Sequence, residues 1–156
     1  FDLISKFKDT EYVLDLVGEG SQKDQLVLHS KKNNVNTNFL GLINHEELLD
    51  LYKNYKFFIM NSIYEGHPKA LIEAMSRGCI VVVNENSSVK EIISNSVNGI
   101  LFDSDSVISI ESAVQKILKR EDLEIIIKQA KDFIISNRTW EQNAKEYKLI
   151  YSNLYA

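Results

Sequence analysis

The sequence contains a single cysteine, Cys79, among its 156 residues. One cysteine cannot form a disulfide within the chain, so no disulfide framework is predicted. Disulfides are rare in reducing compartments, and a reducing environment is the simplest interpretation. Cys79 precedes a short apolar run, and we interpret it as a small buried residue at the start of a strand.

Long hydrophobic runs and an excess of positive charge are also missing. No apolar run reaches the roughly 18 residues of a membrane-spanning helix, and no signal peptide is visible at the N-terminus. The formal net charge is −4, which argues against nucleic acid as a partner because nucleic-acid-binding surfaces concentrate lysine and arginine. The first residue is Phe1, and we expect further sequence to precede it.

The sequence lacks the residues that several kinds of catalytic centre need. The three histidines, His29, His45 and His67, do not have metal-ligand spacing, and no cluster of cysteine, histidine or carboxylate residues completes a metal site. No serine lies in a G-x-S-x-G elbow. The sequence therefore predicts neither a bound metal nor a nucleophilic serine.

Short apolar runs alternate with amphipathic segments along the chain. This alternation predicts an α/β domain, with a parallel Rossmann-like sheet and helices on both faces. Strands are predicted near residues 13–17, 35–39, 57–61, 80–83 and 100–102. Helices are predicted over residues 1–8, 21–32, 45–55, 68–78 and 88–95, and from 106 onward with breaks near 120–121 and 137–139.

Ligands of parallel α/β sheets bind outside the carboxyl ends of the strands. The segments that should form this edge are Gly18–Ser21, Gly41–His45, Ser62–Lys69 and Asn84–Ser88. The first contains only Gly-Glu-Gly, which is less than the full dinucleotide fingerprint and most simply forms a tight turn.

The segment Ser62–Lys69 leaves a buried strand and enters a helix at Pro68. The free N–H groups and the positive dipole end of a helix start favour an anion such as a phosphate or diphosphate. Proline has no N–H, so the expected donors are the amides of His67, Lys69 and Ala70. The ammonium group of Lys69 could add a point charge.

Two glutamates flank this helix start. Glu65 precedes the helix, whereas Glu73 lies between Lys69 and Arg77 at i, i+4 spacing, which is more often a solvated ladder of charges. Carboxylates also accept hydrogen bonds from sugar and ribose hydroxyls. Two of them beside an anion site suggest a ligand with both phosphate and hydroxyl groups, such as a nucleotide sugar.

The stretch EGHPKALIEAMSRG, residues 65–78, resembles the E-x7-E signature of retaining glycosyltransferases of the GT-B fold. This group is often called glycosyltransferase family 4 or glycosyl transferases group 1. The segments LDLVGEG, VNTNFLGLI, VVVNENSSVKEIISNSVNGILF and TWEQNAKEYKLIYSNL are similar to other segments of its C-terminal half, in the same order. The resemblance covers nearly the whole chain.

The resemblance implies roles for individual residues. Glu65 would contact the hydroxyls of the donor sugar and act in catalysis, and Glu73 would accept hydrogen bonds from the nucleotide ribose. No metal or other cofactor is implied, and the departing diphosphate itself would take the proton of the acceptor. The other donor-binding positions implied are Gly18, Gly20, Gly41, Leu42, Ile43, Gly66, His67, Lys69 and Ala70.

The resemblance also implies that the chain is one part of an enzyme. Residues 1–156 would form the nucleotide-sugar-binding domain without its first strand and without the arginine and lysine that hold the diphosphate in relatives. A separate acceptor domain would bind a saccharide or lipid-linked acceptor. The setting would be cytoplasmic surface polysaccharide or glycolipid assembly, with peripheral association at the inner face of the membrane. Two alternatives remain open: a non-catalytic nucleotide-sugar-binding module and a nucleotide-sugar epimerase of the same fold.

Overall fold

A computed structural model describes residues 8, 11–119, 123–137, 142, 144, 145, 148, 149 and 152. The helix expected over residues 1–8 lies outside this part except for Lys8, as do the expected break at 120–121 and most of the break at 137–139. No helix in the described ranges combines the length and the apolar character needed to cross a bilayer.

Five strands and six α-helices follow one another in the described ranges. The strands lie within one to two residues of their predicted positions. They are β1 (Leu14–Val17), β2 (Thr37–Gly41), β3 (Phe57–Met60), β4 (Ile80–Asn84) and β5 (Ile100–Phe102). The helices are α1 (Lys23–Lys32), α2 (His45–Leu51), α3 (Lys69–Arg77), α4 (Ser87–Lys90), α5 (Val107–Lys119) and α6 (Leu123–Asn137), with a 3-10 turn at Tyr52–Asn54.

Three helices begin or end two or more residues inside the range that the sequence predicts. The helix expected over 45–55 is α-helical only to Leu51, where the 3-10 turn follows it. The helix expected over 88–95 is the single turn α4, because the chain turns away at Ser94–Asn98, where Asn98 accepts a hydrogen bond from the Ser94 amide at 2.8 Å. The expected cap of α1 by Ser21 is absent, since Gln22 occupies the cap position without a side-chain bond. By contrast, Asn44 caps α2 by accepting a bond from the Glu47 amide at 2.9 Å.

The core is built on both faces of β4, whose five residues are all buried. Successive side chains of a strand point to opposite faces. Ile80 and Val82 belong to one apolar cluster with residues of β5, α5 and α6, and Val81 and Val83 belong to another with residues of α3 and α4. The prediction of a parallel sheet covered by helices on both faces is confirmed.

All strand pairs in the described part of the chain are parallel, but they form two separate sheets. One contains β1 and β2, and the other has the order β3-β4-β5. Thus β1 and β3 each have one edge that pairs with no described strand.

A cavity of about 580 Å³ lies between β1 and β3, and we call it the interstrand slot. Its walls include residues 12–17 on one side and 55–59 on the other. The rings of Tyr12 and Phe57 meet edge to face across it, with centroids 5.7 Å apart. The Tyr55 hydroxyl donates a hydrogen bond to the Asp15 carboxylate. These contacts join the two sheets without strand pairing.

The bond between Tyr55 and Asp15 predicts a sensitivity to alkaline pH. Burial, then the hydrogen bond and negative charge of Asp15, raise the pKa of Tyr55 from 10 to about 12. Because the folded-state pKa is raised, the stabilisation is complete below pH 10 and is lost as the pH rises through 12. Over this interval, we expect the free energy of unfolding of Tyr55→Phe to fall less steeply than that of the wild type in urea titrations.

Two other groups contribute to the pH dependence of the free energy of unfolding that remains in Tyr55→Phe. Burial raises the pKa of Tyr52 to about 12 and that of the Cys79 thiol to about 11. The matched control is Tyr64→Phe, because Tyr64 is 86% exposed. This variant should keep the wild-type slope, and equal slopes for all three proteins would contradict the prediction.

The packing of Gly99 against β4 predicts that one methyl group added at this position lowers the stability of the fold. A Cβ on Gly99 would lie 2.7 Å from Cγ2 of Val81 and 3.1 Å from Cγ2 of Ile93, both in the core. We expect Gly99→Ala to lower the free energy of unfolding by about 1–3 kcal/mol, the range for overpacked cores. Urea unfolding at neutral pH measures this. Gly20→Ala is the control, since no atom lies within 4 Å of its added Cβ, and an equal loss there would rule out the packing explanation.

Candidate functional site

Parallel strands share the direction of their carboxyl ends, so the loops after β1 and β2 lie at one edge of their sheet and those after β3 and β4 at one edge of theirs. The contact between His45, which follows the β2 loop, and Glu73, on the helix after β3, brings the two edges together. The first two loops are joined where the Gly18 amide donates to the Gly41 carbonyl at 2.7 Å. Both glycines have positive φ, +122° and +69°, a backbone conformation that residues other than glycine rarely adopt. This edge of the site is therefore built largely from main chain.

The residues around these glycines differ in exposure and in pairing. Gly20 is exposed and open, whereas Glu19 forms an ion pair with Lys23 at 2.9 Å. Leu42 is 81% exposed and Ile43 is half-buried. The expected nucleotide-binding positions of the first two loops are thus adjacent, and the Leu42 side chain is accessible to a ligand.

The loop between β3 and α3 contains Glu65 and is hydrogen-bonded to residues at and just after the end of β4. The buried Asn84 donates through Nδ2 to the Ser62 carbonyl at 3.3 Å, and Asn86 donates to the same carbonyl at 3.4 Å. The Ser88 hydroxyl donates to the Glu65 carbonyl at 2.6 Å. These bonds fix the backbone of Glu65 and leave its half-buried carboxylate without a hydrogen bond to any described residue.

The start of α3 differs in one respect from the expected anion site. The Lys69 amide is already used, because it donates to the His67 carbonyl at 2.8 Å. The amides of His67 and Ala70 make no hydrogen bond within the described residues. Pro68 is buried, whereas His67, Lys69 and Gly66 are exposed. The donors available to an anion are therefore two of the three that the sequence predicts.

Glu73 does not form the charge ladder that its spacing favours. Its Oε1 lies 2.9 Å from Nε2 of His45, and no ion pair joins it to Lys69 or Arg77 in the described part. The side chain of Glu73 is 26% exposed, and that of His45 is 66% exposed. Since His45 follows the β2 loop, this contact turns the Glu73 carboxylate toward the loop edge.

The charge of Glu73 also affects a buried neighbour. Burial is the main cause of the raised pKa of Tyr52, and the negative charge of Glu73 is the second cause. Tyr52 is only 7% exposed and also lines the interstrand slot. The Glu73 carboxylate thus acts on a buried phenol through its charge and contacts an exposed imidazole directly.

His45 is the residue of this edge for which sequence reasoning assigned no role. Its position at the end of the segment Gly41–His45 is a signal, because the sequence predicts that segment at the carboxyl edge. Its partner Glu73 is 28 residues away along the chain, and no spacing rule connects residues at that separation across two elements.

The interstrand slot touches this site without coinciding with it. Its lining includes Ala70 of α3 and Asn61 after β3, but most of its walls are apolar strand residues. We find no group of three or more histidine, cysteine, aspartate or glutamate residues with metal-binding geometry in the ranges that the structure describes.

Comparison with known proteins supports a common origin with glycosyltransferases. An uncharacterized glycosyltransferase of Methanocaldococcus jannaschii is 28% identical over 156 residues, which cover 98% of this chain and 40% of that protein. A second uncharacterized glycosyltransferase from the same organism is 33% identical over 114 residues, covering 72% of this chain and 29% of that protein. The chain thus spans well under half the length of these relatives.

A solved structure shows the same fold at lower sequence identity. It is that of HepE from Anabaena in complex with UDP and glucose, with a TM-score of 0.81 and 18% identity, covering 97% of this chain and 44% of that one. This structural likeness shows that the chain has the fold of one half of a GT-B protein, in agreement with the predicted fold class. The sequence profile of one family, described as glycosyl transferases group 1, matches residues 1–146. The chain belongs to the glycosyl transferases group 1 family.

Proposed function

We propose that this chain is the donor-binding domain of a glycosyltransferase that uses a nucleotide-diphosphate sugar. Membership of the family supports the reaction class. The observation that carries the proposal is the placement of Glu73, whose carboxylate is turned to the loop edge by His45 and not to Arg77. A carboxylate there can accept hydrogen bonds from the ribose hydroxyls of a nucleotide.

Glu65 has a different role in this proposal. Its carboxylate is free of described partners and its backbone is anchored by Ser88. A carboxylate on an anchored loop needs little reorganisation to meet the hydroxyls of the donor sugar, and such preorganisation favours catalysis. We assign Glu65 to the transferred sugar and Glu73 to the nucleoside.

The diphosphate would lie between them, at the start of α3. The amides of His67 and Ala70 point to no other described group, and the positive end of the helix dipole favours negative charge. The Lys69 ammonium group is exposed and can approach the same anion. Charge on the leaving diphosphate would thus be stabilised by the protein itself, without a metal ion.

Further parts of the proposal concern the whole protein. Transfer would retain the anomeric configuration, with the departing diphosphate accepting the proton of the acceptor hydroxyl. An additional domain would bind a saccharide or lipid-linked acceptor, and an additional parallel strand would occupy the interstrand slot. Assembly of surface polysaccharide or glycolipid at the cytoplasmic face of the membrane is the proposed setting. UDP-sugars are the first donors to test, because the related HepE structure contains UDP and glucose.

Substitution of the two glutamates should separate catalysis from nucleotide binding. In the full-length gene product, Glu65→Gln should lower turnover strongly and leave nucleoside diphosphate affinity almost unchanged, because its contact is to the sugar. Glu73→Ala should weaken the nucleoside diphosphate by about 1–3 kcal/mol, the range for a hydrogen bond to a charged group. Calorimetric titration with UDP, GDP and ADP, together with donor turnover, measures both effects.

The outcomes distinguish the alternatives. Equal losses of nucleotide affinity in both variants would reject the division of roles. Binding without donor hydrolysis or transfer would favour a non-catalytic binding module, and interconversion of the free donor sugar would favour an epimerase. Glu124→Ala is a matched control, because Glu124 is an exposed glutamate in the first turn of α6, outside the four loop segments of the carboxyl edge; it should preserve both affinity and turnover.

The chain of residues 1–156 should not transfer sugar by itself. Catalysis requires the donor and acceptor in attack geometry, and the described loops supply groups for the donor only. We expect a radiolabelled UDP-sugar to yield no glycosylated acceptor with this chain, while the full-length gene product under the same conditions does yield it. Turnover by the isolated chain at the full-length rate would show that no additional domain is required.

A further inference from the structure

The contact between His45 and Glu73 joins two elements of the candidate site. His45 Nε2 lies 2.9 Å from Glu73 Oε1. An ionised carboxylate can only accept, so the imidazole must carry its proton on Nε2 to form this hydrogen bond. One oxygen of Glu73 is therefore engaged by the protein, and the other remains available to a ligand.

The imidazole is presented from a fixed backbone. Asn44 caps α2 through its side chain, and the Leu48 amide completes the turn by donating to the Asn44 carbonyl at 2.9 Å. Leu48 and Leu49 pack against the apolar cluster that contains Leu71 of α3. Since α2 is both capped and packed against α3, the distance between the two helices is set independently of His45.

Glu73 has competing partners on its own helix. Lys69 and Arg77 lie four residues before and after it, a spacing at which opposite charges usually meet on a helix surface. Neither pairs with Glu73 in the described part of the chain. The hydrogen bond from His45 accounts for this, because it holds the carboxylate at the side of α3 that faces the β2 loop.

We propose that His45 is a positioning residue that holds Glu73 Oε1, so that Oε2 is directed to the ribose of the donor nucleotide. This inference rests on the proposed function of Glu73. Without His45, the carboxylate regains its rotamer freedom and its helical partners. His45 itself needs no contact with the nucleotide, and its effect on binding should require Glu73.

The test is a double-mutant cycle in the full-length gene product, with UDP, GDP and ADP as calorimetric probes. His45→Ala should raise the Kd of the best-bound probe roughly tenfold, the scale set by the lost side-chain ordering of one glutamate. His45→Gln should restore affinity, because its amide nitrogen can donate in place of Nε2. In a Glu73→Ala background, His45→Ala should have no further effect.

Two measurements separate positioning from general structural damage. Glu46→Ala is the control, because Glu46 is exposed in the same first turn of α2, and it should bind like the wild type. In the protein without nucleotide, the ring nitrogen NMR shifts of His45 should indicate a proton on Nε2, and they should change in Glu73→Ala. An assay of donor turnover should show the His45→Ala defect mainly in KM, with a smaller change in kcat.

The results distinguish failure of this inference from failure of the proposed function. Absence of binding of all three probes to the wild type would overturn the proposed function and the role of His45 with it. Binding that is weakened by Glu73→Ala but not by His45→Ala, or additive effects of the two substitutions, would overturn the positioning role alone. An unchanged His45 spectrum in Glu73→Ala would also overturn it.

Discussion

The side-chain amide of Asn84 connects the core of this protein to its candidate site. Asn84 is the last residue of β4 and is only 4% exposed. A buried amide is costly unless its groups are hydrogen-bonded. Its Nδ2 donates to the Ser62 carbonyl, and its Oδ1 accepts from the Ser104 amide at 2.9 Å. One side chain therefore bonds to the loops after both β3 and β5, and together with Asn86 and Ser88 it fixes the position of Glu65.

Much of the fold could be predicted because its signals are local. The apolar run of β4 is buried on both faces, and the helix that ends before it stops at Gly78, which has a φ of +97°. The order strand, loop, helix predicts that the Glu65–Pro68 loop lies at the carboxyl edge. Where a local signal was weak, as at Ser21, the predicted cap did not form, because Gln22 already has helical backbone angles.

The details of the site could not be predicted in the same way. The spacing of Lys69, Glu73 and Arg77 describes an isolated helix, but packing of α2 against α3 brings His45 to the carboxylate. The Lys69 amide donates to the His67 carbonyl across Pro68, whose φ of −77° and ψ of 73° make a tight turn. Proline fixes φ but leaves ψ open, so the sequence does not determine this turn. A contact between two helices decided the first outcome, and the local backbone angles of Pro68 decided the second.

The five residues of β4 have a further consequence, which concerns the chain before it is folded. Ile80 to Val83 form an uncharged, β-branched run without proline, the type of segment that associates with copies of itself when it is uncovered. Its neighbours β3 and α3 immediately precede it in the sequence and pair with it or pack on it. Protection of this segment thus comes from the stretch of chain directly before it, and the entropic cost of closing such a loop grows only slowly with its length. The same stretch of chain that carries both candidate glutamates also shields this aggregation-prone strand.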